Sequence, residues 1–332
     1  MAFSLNMTPY QRFQLIFEKW FQFTSTAIGL NILDKDFQFS LASLFIVTLV
    51  TSVLISSVYT MFAFDTEAFF KGTTCFSLGL QAFSKVYTVA TKRTEIRFLS
   101  SFVENIHVVN EKKPSKRIRD IMDECSLHNF LITVALLSLY FLCVIIFLLF
   151  PVLMFAIFQM KEPWLPLYLL GIDFNTKEGF VVTSIYHCVV LYMTGIGFGF
   201  NDALFSNLVF NVFIMSKLQC NQLSTLDDEL NADRPHELKI RTRLANFFLM
   251  NLEMEKYIEL INDTYFWMIF VQIMTSSLCT TLIVYVIMTM TWYPAYFLAV
   301  CCVFQLFVFC ALGTVIEVAI LWKLDTFLLK KL

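Results

Sequence analysis

Residues 264–316 read TYFWMIFVQIMTSSLCTTLIVYVIMTMTWYPAYFLAVCCVFQLFVFCALGTVI, which is 53 residues without a single Asp, Glu, Lys or Arg. A helix needs about 20 apolar residues to cross a membrane, because each residue rises about 1.5 Å and the hydrocarbon core is about 30 Å thick. The stretch is therefore too long for one span and must fold back on itself. Trp292-Tyr293-Pro294 is the predicted turn, since proline lacks an amide donor and Trp and Tyr favour the headgroup level.

The composition of the whole chain also indicates a lipid environment. Of the 332 residues, 58% are hydrophobic and only 15% are charged, and the mean hydropathy is +0.69. In soluble domains about a quarter of the residues are charged. This balance argues against a disordered chain, a nucleic-acid-binding protein and a small secreted module held by disulfides.

Four further stretches are long enough to cross a membrane, which gives six predicted spans in an all-α integral membrane bundle. They are residues 37–64, 72–91, 129–160 and 179–201. The third exceeds the length of a span and is expected to project beyond the bilayer as helix. The second contains one charge, Lys85, whose ammonium we expect to snorkel to the nearby interface.

Basic residues are distributed unequally between the two sides of this arrangement. Of the 24 Lys and Arg residues, twenty lie in the N-terminal segment, the loops after spans two and four, and the tail. Positive charge marks the cytoplasmic side, so both termini are predicted to be cytoplasmic. The long connections on this side look helical. The loop after span four has two stretches of helical periodicity, with a break at Arg234-Pro235, which predict a helical bundle on that side.

The predicted organisation has five parts. Residues 1–36 form a cytoplasmic segment, 37–200 hold spans one to four with an outer ligand pocket, and 201–263 form a cytoplasmic helical anchor. Residues 264–316 form spans five and six, and 317–332 are a cytoplasmic tail.

The sequence contains none of the common catalytic or metal-binding patterns. It lacks a Gly-rich phosphate loop and the motifs His-Glu-x-x-His, Cys-x-x-Cys and Gly-x-Ser-x-Gly, and its four His residues have no ligand spacing. The sequence therefore predicts neither an enzyme nor a bound cofactor or metal.

Apolar and aromatic side chains in the outer halves of the spans are candidates for binding a small apolar molecule. Dispersion and desolvation would supply the affinity, and a polar tip would orient the ligand. The alternative for each residue, His187 included, is packing against lipid or a neighbouring helix. The predicted ligand-binding residues are Phe76, Leu80, Phe147, Phe150, Met154, Ile185, Tyr186, His187, Val190, Tyr296 and Phe297.

Six short segments spread along the chain form a recognisable series in their order and spacing. They are Pro163–Pro166, Tyr186-His187, Asn201–Phe205, Gln222–Leu226, Leu252–Cys279 and Gln305–Gly313. This series resembles the insect odorant receptor family, and the similarity covers nearly the whole chain. In that family the segments correspond to the loop before the fourth span, the fourth span and the helix after it, the start of the fifth span and the end of the sixth.

The resemblance implies a tuning subunit of a ligand-gated, non-selective cation channel. It implies that small hydrophobic odorants bind between spans two, three, four and six, and that the cytoplasmic helices anchor the subunits. It further implies a heterotetramer with odorant receptor coreceptor subunits, among membrane lipids in the plasma membrane of olfactory sensory neurons.

The family has a seventh span that lines the pore, and this sequence stops before it. Either it is part of a longer chain, or it is a truncated product expected to bind odorant without conducting.

Two alternatives remain open at this point. A gustatory receptor of the same superfamily shares the topology, although the pattern of residues 305–313 favours the odorant branch. A six-span transporter predicts inverted repeats and broken helices. Gly195, Gly197 and Gly199 could loosen the fourth span in that way, but close packing of helices explains them equally well.

Overall fold

Long helices make up almost all of the structure, a computed structural model that describes residues 7–27, 29, 40–112, 115–158, 164–231, 237–290 and 292–328. No strand occurs in these ranges. The helices are α1 (Pro9–Gln14), a π-helical segment (Leu15–Phe21), α2 (Gln22–Ala27), α3 (Leu41–Ala63), α4 (Thr66–Thr91), α5 (Arg93–Glu111), α6 (Lys116–Phe158), α7 (Lys177–Leu230), α8 (Glu237–Thr289) and α9 (Pro294–Leu328).

Five described helices are long and apolar enough to cross a membrane, namely α3, α6, α7, α8 and α9. They confirm five of the six predicted spans, and the gap between α8 and α9 confirms the turn at residues 292–294. The remaining span corresponds to α4, whose 26 residues are long enough to cross but include Glu67, Lys71 and Lys85. Helix α4 packs between α3 and α8, and its polar residues Gln81, Ser84 and Lys85 are buried.

Three helices extend well beyond the thickness of a membrane. Helices α6, α7 and α8 contain 43, 54 and 53 residues, which correspond to about 65–80 Å at the rise of an α-helix. The predicted extension of the spans as helix is thereby confirmed. The predicted boundaries after residues 200, 263 and 316 fall inside continuous helices, and Arg234-Pro235 lies outside the described residues.

One end of the bundle, which we call the base, is formed by residues 9–27, 93–112, 115–128, 198–231 and 237–265. Helix α1 is fixed there by the buried Arg12, which donates hydrogen bonds to Asp123 Oδ1 at 2.7 Å and Ser126 Oγ at 2.9 Å on α6. Every residue of α7 from 198 to 212 is buried, because α6, α8, α9 and α5 all pack against it. We call the opposite end, where residues 164–176 join α6 to α7, the loop end.

Glycines bring α7 into close contact with α6. A Cβ atom on Gly195 would lie 1.9 Å from Val144 Cγ2, and one on Gly199 would lie 3.1 Å from Tyr140 Cβ. The two glycines are four residues apart and share one helix face, as in other close helix pairs in membranes. Helix α7 is continuous through this segment, so the glycines serve packing and do not break the span.

Candidate ligand-binding site

A cavity lies between α3, α4, α7 and the loop that follows α6. It holds about 830 Å³ of atom-free space including its open mouth. Its walls are almost wholly apolar. The side chains that form them include Leu49 and Val53 on α3, Cys75 and Leu78 on α4, Leu165 in the loop and Val190 on α7.

His187 fixes the wall of this cavity at the loop end. Its fully buried ring accepts a hydrogen bond from the Leu165 amide at Nδ1, at 3.4 Å, and lies 2.9 Å from the Leu167 carbonyl oxygen at Nε2. Since Nδ1 accepts, the neutral tautomer with the proton on Nε2 satisfies both bonds. His187 therefore positions the loop residues that line the cavity.

Tyr186 on α7 supports the same wall of the cavity through a contact with α3. Its hydroxyl lies 3.0 Å from Ser52 Oγ, and its ring packs against a cluster that contains Leu49, Cys75 and Val190. The hydroxyl is thus tied to α3, and the ring fills the space between the two helices.

A buried ion pair closes the end of the cavity that faces the base. Lys85 Nζ lies 2.6 Å from Asp202 Oδ1, and each side chain is 1% exposed. The ammonium also lies 4.2 Å from the centre of the Phe198 ring. The prediction that Lys85 snorkels to the interface is therefore wrong, because a carboxylate on α7 supplies a counter-ion inside the bundle.

Polar side chains continue from this ion pair across the bundle. The Tyr140 hydroxyl donates to Asp202 Oδ2, and Gln305 Nε2 donates to the Tyr140 oxygen at 3.2 Å. Gln272 Nε2 lies 3.1 Å from Gln305 Oε1 and 3.2 Å from Gln81 Oε1. The network connects α4, α6, α7, α8 and α9. Sequence reasoning missed it, although single amide residues inside apolar spans were the available signal.

The sequence-predicted residues on α6 and α9 form a separate aromatic contact. The Phe297 ring centre lies 6.3 Å from that of Phe147 and 5.9 Å from that of Phe150. Phe147 also packs against a buried cluster of α8 and α9 that includes Trp292. The side chain of Met154 lies outside the described residues.

The other sequence-predicted residues lie away from the cavity lining. Phe76 and Leu80 are half-buried on α4 but do not line the cavity. Ile185 is 60% exposed and Tyr296 is 54% exposed, so both face the outside of the described bundle.

Of the residues that line the cavity, sequence reasoning named Val190 as a ligand-binding residue and missed those on α3 and α4, those in the loop and the remaining ones on α7. The outer pocket was predicted among spans two, three, four and six, whereas the cavity is bounded by spans one, two and four. Gly79 and Gly197 both line it. A Cβ atom on Gly197 would meet no described atom within 4 Å, whereas one on Gly79 would lie 2.8 Å from Leu54 Cδ2, so Gly197 is the glycine that leaves space. Glycine within an apolar span was the signal that could have indicated space.

Comparison with known proteins agrees with this architecture. The family model described as 7tm Odorant receptor matches residues 65–321. The solved insect olfactory receptor OR5 from Machilis hrabei superposes with a TM-score of 0.74 at 15% identity, covering 92% of this chain and 81% of that one. The same receptor in complex with eugenol gives a TM-score of 0.71 at 14% identity, covering 92% and 80%. No curated protein matches. At these identities the structures establish the fold, and the predicted all-helical membrane architecture is confirmed.

Proposed function

Because the chain belongs to the 7tm odorant receptor family, we propose that it is the ligand-binding subunit of an odorant-gated, non-selective cation channel. The family match favours the odorant branch over a gustatory receptor. The unbroken α7 gives no support to a transporter with interrupted helices.

The observation that carries the proposal is the apolar cavity between α3, α4 and α7. A volatile molecule that fills it would leave water or lipid for a surface of Leu, Val and Cys side chains, which supplies affinity without charge. Val190 would contact the ligand directly. Tyr186 and His187 would hold the wall in place. The aromatic contact of Phe147, Phe150 and Phe297 is a second proposed binding region, as expected from the sequence.

The polar network supports a route from the cavity to the rest of the subunit. A ligand opens a channel only if it binds the open state more tightly than the closed state. Lys85 lines the cavity and pairs with Asp202, from which hydrogen bonds lead to α8 and α9. A ligand at this position would act on the contacts among five helices at once.

The proposed assembly is a heterotetramer with odorant receptor coreceptor subunits in the plasma membrane of olfactory sensory neurons. The excess of Lys and Arg in the segments of the base supports a cytoplasmic location for the base and for both termini. The helices of the base would then form the anchor between subunits.

The test is co-expression of the chain with a coreceptor in a heterologous cell, with cation currents recorded across a panel of odorants. A current that requires both the chain and an odorant is expected. Equal currents with coreceptor alone would overturn the proposal, and solute uptake by the chain alone would favour the transporter.

A single substitution tests the location of the site. A Cβ atom on Gly197 would meet no described atom within 4 Å, so Gly197→Leu places a side chain in the cavity without a clash in the backbone. We expect the odorant concentration for half-maximal current to rise at least tenfold. Gly313→Leu on α9 is the matched control, because a Cβ there also meets no described atom within 4 Å and the residue does not line the cavity. An unchanged response of Gly197→Leu would exclude this cavity as the site.

A further inference from the structure

Two adjacent cysteines on α9 each contact a cysteine on a different helix. Cys301 Sγ lies 3.4 Å from Cys143 Sγ on α6, and Cys302 Sγ lies 3.5 Å from Cys279 Sγ on α8. All four are free thiols. We propose that the Cys143–Cys301 pair is an oxidation site, at which a lipid hydroperoxide forms a disulfide that joins α6 to α9.

The distance between Cys143 and Cys301 favours a disulfide over separate oxidation of the two thiols. At 3.4 Å the sulfur atoms are in van der Waals contact, and they have to approach by about 1.4 Å to reach the length of a disulfide bond. Whichever thiol is oxidised first has its partner beside it, at an effective concentration that a thiol in solution cannot match.

Exposure distinguishes this pair from the second one. Cys143 and Cys301 are half-buried and their contact is partly open, whereas Cys279 and Cys302 are 0% and 1% exposed. Since partly exposed thiols react and enclosed ones are inert, the second pair is a built-in control.

The surroundings of the half-buried pair select the kind of oxidant. Residues 129–160 of α6 and 294–316 of α9 contain no Asp, Glu, Lys or Arg, so the pair lies in the membrane-spanning part of both helices. An oxidant that reaches it has to dissolve in lipid. A lipid hydroperoxide meets this requirement because an acyl chain carries its peroxide group.

The reaction balances with the hydroperoxide as its one oxidant. The sulfur of one cysteine attacks the outer peroxide oxygen, the O–O bond breaks, and the thiol proton goes to the alkoxide, which gives a sulfenic acid and a lipid alcohol. The sulfur of the second cysteine attacks the sulfenic sulfur, the S–O bond breaks, and the hydroxide leaves with the second thiol proton as water. The two thiols lose two electrons, which reduce the peroxide.

The disulfide would lie between two other contacts that join α6 to α9. Cys143 follows Tyr140 by three residues and Cys301 precedes Gln305 by four, and Gln305 Nε2 donates to the Tyr140 oxygen at 3.2 Å. The aromatic contact of the two helices lies about one turn in the other direction. A covalent bond at this position fixes the spacing of α6 and α9 beside the polar network. We therefore expect oxidation to suppress the odorant response, and this consequence rests on the proposed function, whereas the disulfide does not.

The test uses the complete chain in lipid nanodiscs that contain phosphatidylcholine hydroperoxide, with unoxidised phosphatidylcholine as the control. Free thiols are blocked, the protein is digested, and mass spectrometry measures the disulfide-linked peptides. We expect the peptide that joins Cys143 to Cys301 to form about tenfold faster than the one that joins Cys279 to Cys302. Equal rates, or no link between Cys143 and Cys301, would overturn the proposal.

Two variants connect the disulfide to the response. Cys143→Ala removes the pair, and Cys310→Ala is the matched control, because it removes an exposed cysteine elsewhere on α9. In cells that also express a coreceptor, the hydroperoxide is expected to remove most of the odorant current of the unchanged chain and of Cys310→Ala, and to spare Cys143→Ala. A membrane-permeable thiol should restore the current.

The outcomes separate this inference from the proposed function. The same loss of current in Cys143→Ala would overturn the effect of the disulfide on the response. A chain that gives no odorant current before oxidation would overturn the proposed function, while the linked peptides still decide whether the disulfide forms. The peptide measurement needs no variant, so it holds even if Cys143→Ala does not fold.

Discussion

Burial differs between two consecutive segments of α7, residues 177–197 and 198–212, although they belong to one continuous helix. We call these segments the two halves. From residue 198 to 212 every side chain is buried, and Leu204 and Leu208 are surrounded by protein. From residue 177 to 197 many side chains are exposed, including Val181 and Ile185, and the helix borders the cavity. Both halves are rich in apolar residues. The difference shows that hydropathy identifies a lipid-soluble helix but does not tell whether protein or lipid surrounds it.

The largest expected effect is at the junction of the two halves, where Lys85 pairs with Asp202. Lys85→Met leaves a buried carboxylate without its counter-ion, and we expect a loss of about 3–5 kcal/mol in the free energy of unfolding. The double variant Lys85→Met/Asp202→Leu removes both charges and is expected to recover most of this loss. Denaturant unfolding of the purified protein in detergent micelles measures both, and equal losses in the two variants would contradict a charge-compensation role.

The next largest effect compares the stability lost on truncating a side chain in the buried half and in the exposed half of α7. Leu208→Ala removes a fully buried side chain and is expected to cost about 2–5 kcal/mol, because the surrounding helices cannot close the space. Ile185→Ala, in the exposed half, is expected to change stability by less than about 0.5 kcal/mol. The same unfolding measurement applies. Similar losses for the two variants would show that both halves are packed equally.

The smallest expected effect is the pH dependence of stability that arises from a buried histidine in the base. His107 on α5 is buried against Phe13, with ring centres 5.2 Å apart, and desolvation lowers the pKa of His107 from 6.5 to about 4. The unfolded chain therefore binds a proton at a higher pH than the folded chain. The contribution of His107 to the free energy of unfolding is complete above about pH 6.5. It falls as the pH drops towards 4, and at pH 5 about 2 kcal/mol of it is lost.

The variant His107→Phe keeps an aromatic ring beside Phe13 and removes the titrating group. Its stability is expected to depend less on pH between 6.5 and 4 than that of the unchanged chain. Parallel pH profiles of the two proteins would contradict the burial of a neutral His107.

The sequence predicted the long helices because their signal is strong and local. The uncharged stretch of residues 264–316 could only be a pair of spans, and the helical periodicity of the loop after span four predicted the extensions of α7 and α8. The charge count did not reveal that Arg12, one of the basic residues assigned to a side of the membrane, is buried against Asp123. Such a contact joins residues far apart in the chain and has no local pattern.

The candidate site was predicted less completely for a related reason. In a helix that is apolar on all sides, periodicity does not indicate which side chains face a neighbour. Tyr186, His187 and Val190 were predicted from their residue types in the outer half of span four, whereas no contribution of α3 was predicted. Lys85 was noticed alone, and its pairing with Asp202 depends on the arrangement of two helices that the sequence does not specify.

The three alternating glycines of α7 have a consequence for the divergence of such receptors. Gly195 and Gly199 hold the helix against its neighbour, and a methyl group at either position would collide with or crowd α6. Gly197, two residues from each, faces open space. Side chains of increasing size at this one position would reshape the room for a guest molecule while the scaffold stays intact. A lineage could thus acquire new olfactory preferences through single codon changes, without first finding compensating changes elsewhere.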